Sequence, residues 1–148
     1  MGRAKKRKAV VDELIDRWRG RMNVRQYRIE WKWVEGSDVL GSCWRADNER
    51  RVKLSIERWL AWDGLRDTIA HEMLHTLHCG RDHAIRDLGG SALILQPVFD
   101  VWHANYSRQD EIVIDELARI LCTLEPWLGE DADLRAQWEK PRHTGGTA

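Results

Sequence analysis

Asp67-Thr68-Ile69-Ala70-His71-Glu72-Met73-Leu74-His75-Thr76-Leu77 carries an HExxH pattern, His71 to His75, inside a run of helical periodicity. On a wheel of about 100° per residue with His71 at zero, His75 falls near 40° and Glu72 near 100°. Ile69, Ala70, Met73, Leu74 and Leu77 fall between about 160° and 300°. One face is apolar and the other offers two imidazoles a turn apart, close enough to share an ion. Glu72, beside the first of them, can reach a water at that ion. A solvated surface helix would give no reason for a carboxylate between two histidines on that face.

Outward from this segment, Asp63 reads as an N-cap and Asp67 complements the helix dipole, so a helix is predicted from Asp63 to Cys79, with Gly80 as its stop. Upstream, residues 6–19 read as a helix stopped by Gly20. Val24 to Val34 alternates Tyr27, Ile29, Trp31 and Trp33 with Arg28, Glu30 and Lys32, the period of a half-buried strand. Gly36-Ser37-Asp38 marks a turn, and Cys43 to Ala46 and Arg51 to Ile56 follow as strands joined by Asp47-Asn48-Glu49. Downstream, Gly89-Gly90 breaks the chain and Pro97 ends or restarts a helix. Ser107 with Asp110 resembles a capping box opening a helix over 108–123, and a last helix is expected over 131–139. The class is therefore α+β: a small three-stranded antiparallel sheet on the HExxH helix, then further helices. The expected division is a basic N-terminal helix (1–22), one domain (23–140) and a tail (141–148).

Catalytic zinc takes three protein ligands and keeps a position open. Two residues compete for the third place. His83 lies past Gly80, where the chain could fold back; the pattern is close to HExxHxxGxxH, but Gly80 and His83 each fall two residues late. Glu111 opens the segment Asp110-Glu111-Ile112-Val113-Ile114-Asp115-Glu116-Leu117-Ala118-Arg119-Ile120-Leu121, from which a carboxylate can point inward at a metal. Asp115, one turn on, could hold a ligand imidazole and set its tautomer.

The HExxH pattern followed by this second segment resembles the ImmA/IrrE family of zinc peptidases over roughly residues 40–125. That resemblance implies a zincin-like fold, with His71, His75 and Glu111 as Zn2+ ligands and Glu72 as the catalytic carboxylate. Ala118 and Leu121 match the family's Ala and Leu positions, whereas Ile114 and Leu117 stand where it usually has Ala and Phe. It also implies a protein substrate such as a repressor, and a place in phage or mobile-element regulation. HEMLH after strands is similar to SprT-like peptidases as well.

The chain has 148 residues, enough for one core without a disulfide scaffold. Cys43, Cys79 and Cys122 are widely spaced and odd in number, which fits a reducing compartment, so a cytoplasmic location is expected. No apolar run suggests a membrane span. Net charge is zero, yet residues 1–34 hold 11 Lys and Arg against 4 Asp and Glu, and residues 110–140 hold 3 against 9. Balance overall disfavours a general polyanion binder. The cluster Arg3, Lys5, Lys6, Arg7, Lys8 could touch nucleic acid, although a solvated terminus explains it more simply. Nine Trp against one Phe read as core and rim packing. The expected function is zinc-dependent hydrolysis of peptide bonds in a protein substrate, with Glu72 as general base and the substrate extended along Arg51 to Ile56. The alternative is a non-catalytic zincin-fold module binding a protein or DNA partner.

Overall fold

The computed structural model describes residues 3–36, 41–46, 50–90 and 96–140; at 3 and 98 and over 43–46 and 78–90 it describes the backbone path alone. Helix α1 (Arg3–Arg21) leads into β1 (Arg28–Val34), β2 (Gly41–Ala46) and β3 (Arg51–Glu57). Helices α2 (Trp62–Gly90), α3 (Gln96–Thr123), α4 (Glu125–Glu130) and α5 (Ala132–Glu139) follow. The loops expected at 37–38 and 47–49 and the tail lie outside the described residues. Among the described residues no helix is long and apolar enough to cross a membrane.

The α+β class and the three strands are as expected, but the sheet is mixed rather than antiparallel. Its order is β1-β3-β2, with β1 parallel and β2 antiparallel to β3. The register aligns Ile29, Trp31 and Trp33 with Val52, Leu54 and Ile56. Both apolar sets therefore share one face. Alternation identifies which face of a strand is buried but not which neighbour it pairs with, because parallel and antiparallel ladders have the same period of two. Val52, Leu54 and Ile56 are all at most 1% exposed, and the central place suits the strand with the fully aliphatic inner face. The Trp pair of β1 is half-buried at an edge, where an indole tolerates water.

Helix boundaries also differ. Gly20 does not stop α1; the chain leaves it through Asn23, held at φ 54°, a left-handed conformation that Asn accepts more readily than most residues. Helix α2 runs through Gly80 to Gly90. A glycine inside a helix costs about 1 kcal/mol and ends it only when the backbone turns left-handed. Helix α3 begins at Gln96, with Pro97 in its first turn where a missing N–H costs nothing, so Ser107 lies within the helix rather than capping it.

The core joins Val10, Val11, Leu14, Ile15 and Trp18 of α1 to the inner face of β3. From the other side it takes Leu65, Ile69, Ala70, Met73 and Leu74 of α2, Ile114 and Ala118 of α3, and Leu134 and Trp138 of α5. Leu77, grouped with the apolar stripe by its angle, is 49% exposed, and the described buried part of α2 ends at Thr76.

A buried ionic cluster ties these helices together. Asp131, 1% exposed, accepts from Arg21 at 2.7 and 2.9 Å, from Arg66 Nε at 3.1 Å and from Arg17 at 3.4 Å. Arg66, 2% exposed, also donates through Nη1 to the Cys122 carbonyl at 2.8 Å. It thereby ties the last turn of α3 to the first turns of α2. Nothing in the local pattern around Arg66 or Asp131 announces this, since their meeting spans 65 residues.

Candidate metal centre

The apolar stripe of α2 packs inward and turns its opposite face toward α3, and there the two helices bring three side chains to one point. His71 and His75, each about one-fifth exposed at the side chain, present Nε2 atoms 2.9 Å apart. Glu111 of α3 places Oε2 3.4 Å from His71 Nε2 and Oε1 3.5 Å from His75 Nε2. One ligand atom from each of the three lies within 4.8 Å of the others, which makes them a group able to hold a metal ion.

Two imidazoles and a carboxylate form a donor set that can hold a divalent metal ion. Tetrahedral zinc with bonds of about 2.0–2.1 Å separates neighbouring ligand atoms by about 3.3 Å. Each imidazole lies near that distance from one Glu111 oxygen, His71 from Oε2 and His75 from Oε1, and the imidazole pair needs to open by a few tenths of an ångström. His71 is further set by Asp115, whose Oδ1 stands 2.8 Å from Nδ1. A carboxylate accepting the Nδ1 proton leaves the Nε2 lone pair directed at the shared point. Glu111 and Asp115 are one turn apart on α3, so a single helix face supplies both a ligand atom and the group that orients a ligand.

Glu72 lies beside this triangle and is 5% exposed. Burial first, and then the negative charge of Glu111, push its carboxyl up to about 8. So placed, the group keeps its proton through neutral pH while no cation is near. A divalent cation alongside would draw the value back down.

Each of the four residues singled out by the sequence therefore stands at this site. Glu111 does so from the middle of α3, not from its first turn. His83 lies on the unbroken α2, about 12 Å along the axis beyond His75 at 1.5 Å per residue. A straight helix keeps it from the point that His71 and His75 share. The helix stop expected at Gly80, past which His83 could have folded back, does not occur. Arg51 to Ile56 likewise cannot take an added strand, because β3 is paired on both sides. What reading along the chain misses is Arg66, which holds the two ligand-bearing helices together. A buried arginine five residues before the first histidine carries no motif, and helical angle alone does not single it out.

No family model, no curated protein and no solved structure matches the chain.

Proposed function

We propose that this protein is a zinc-dependent peptidase acting on an extended segment of a protein substrate. The observation that carries the reading is the convergence of Glu111, from a helix forty residues away in sequence, on the paired imidazoles of His71 and His75, with Glu72 buried beside them. Zinc at this point would polarise a carbonyl oxygen and make a water acidic enough to attack it at neutral pH. His71, His75 and Glu111 would hold the ion, and Asp115 would keep His71 in the tautomer that binds it. Glu72 would take the proton of the attacking water and hand it to the departing amine, restoring its own charge for the next turnover. The ImmA/IrrE likeness rests on the two sequence motifs; a repressor as substrate and a role in phage or mobile-element regulation follow from that likeness alone.

Sheet order bears on how the substrate sits. Among the described residues strand β2 is paired with β3 on one side only, and it packs against α2. Its other edge would take an extended peptide by strand addition, fixing the scissile bond relative to Glu72 while leaving side-chain preference open.

Metal analysis of the purified protein should give close to one zinc per chain. Glu72→Gln should keep that zinc and lose cleavage of a heat-denatured protein mixture, read as new N-termini by mass spectrometry. No bound zinc, or undiminished cleavage by Glu72→Gln, would refute the proposal; zinc retained without cleavage by the parent would favour the non-catalytic binding module.

A further inference from the structure

Gly41 opens the edge strand β2 and pairs with Ile56 of the central strand. Ile56 is fully buried on the helix side, so position 41 faces α2 as well. A Cβ built on Gly41 would stand 2.6 Å from Thr68 Cγ2, 2.7 Å from Glu72 Oε1 and 3.0 Å from Glu72 Cγ. Ordinary carbon contacts lie at about 3.5–4.0 Å. Its backbone is not in the left-handed region, unlike that of Gly36 at φ 65°, so the demand for glycine is steric. Thr68 and Glu72 are one turn apart on α2, 7% and 5% exposed, and the strand backbone covers them both.

Among the described residues none donates a hydrogen bond to the Glu72 carboxylate, so its direction is set by the walls around it. We propose that Gly41 is a positioning residue for Glu72. The missing side chain lets the backbone of β2 close directly over the carboxylate and hold it on the metal side of α2. The inference rests on the reading of Glu72 as the proton-transfer group. It makes glycine at this place a requirement of the site, over and above any requirement of the strand.

The test separates the two walls. Thr68→Ser removes the methyl that a side chain at 41 would meet, and Gly41→Ala on that background then presses on Glu72 alone. Full-length Thr68→Ser and Gly41→Ala/Thr68→Ser are compared after loading with zinc. Both should fold and bind zinc as the parent does. In crystals of the double variant the carboxylate should be displaced by about 0.7 Å or more, the distance that relaxes 2.7 Å to van der Waals contact. Acetohydroxamic acid, which chelates zinc and gives its hydroxyl proton to an adjacent carboxylate, should bind the double variant at least tenfold more weakly than Thr68→Ser. A carboxylate left in place, or equal acetohydroxamate affinity in two zinc-loaded variants, overturns the assignment. Should the parent bind no zinc, the peptidase reading falls while the displacement seen in crystals still decides the role of Gly41.

Discussion

Glu72 makes the stability of the metal-free protein depend on pH in a direction that can be worked out. In the unfolded chain its carboxyl titrates near 4.5, and in the fold burial and Glu111 hold it near 8. Below 4.5 both states keep the proton and this group contributes no slope. Between the two values the unfolded chain releases the proton while the fold retains it, so stability falls as pH rises, by about 1.4 kcal/mol per pH unit. Above 8 both are ionised and the slope vanishes. The whole span gives a ceiling of roughly 5 kcal/mol, a large part of a domain's usual 5–15 kcal/mol. Glu72→Gln removes the titration while keeping the shape. Urea unfolding in EDTA at pH 5, 6, 7 and 8 should show the variant gaining on the parent by several kcal/mol across that range. A constant offset is expected from the amide's own burial, and it cancels in the slope. With zinc bound, the cation's charge favours ionised Glu72 and the parent should lose most of its slope. A variant-minus-parent difference that stays flat from pH 5 to pH 8 would show that Glu72 is not held neutral by burial.

Three further outcomes follow from the same geometry. Glu111→Ala should weaken zinc binding by at least about a hundredfold in chelator competition, and His83→Ala by less than about threefold, because Glu111 is the third donor at the shared point among the described residues and the backbone of α2 carries His83 away from it. Asp115→Asn should lower zinc affinity by about 10–100-fold at pH 7 with little change in unfolding midpoint, since the hydrogen bond to His71 Nδ1 sits on an exposed side chain. Asp131→Asn should cost about 3–5 kcal/mol by urea unfolding, because it leaves buried Arg66 and Arg21 facing a neutral partner.

The candidate metal cluster has two parts of unequal legibility. His71, Glu72 and His75 are three residues within five of one helix, and helical geometry alone places them together; the wheel assigns the apolar face correctly for Ile69, Ala70, Met73 and Leu74, all buried, but not for Leu77, which is exposed. Glu111 and Asp115 were recognisable as a pair one turn apart, but their meeting with His71 depends on how α2 and α3 pack. That packing depends in turn on Arg66, Asp131 and the Cys122 carbonyl, residues without a motif. Gly20 and Gly80 have the character of helix stops, whereas the chain uses Asn23 in one case and passes straight through in the other. A glycine permits a left-handed turn without compelling one.

The amino-acid sequence by itself determined that a helix carries two imidazoles and a carboxylate on one face, and that the strands over Tyr27–Trp33 and Val52–Ile56 each carry an apolar side. Both are local properties, set by periods of 3.6 and 2.0 residues. Only the tertiary structure decided that β3 lies between β1 and β2, that Glu111 rather than His83 stands with the histidines, and that Glu72 leaves no room for a side chain at Gly41. Each of these is a contact between segments distant in the chain. Such contacts depend on which buried surfaces fit one another, and no periodicity along the chain records that.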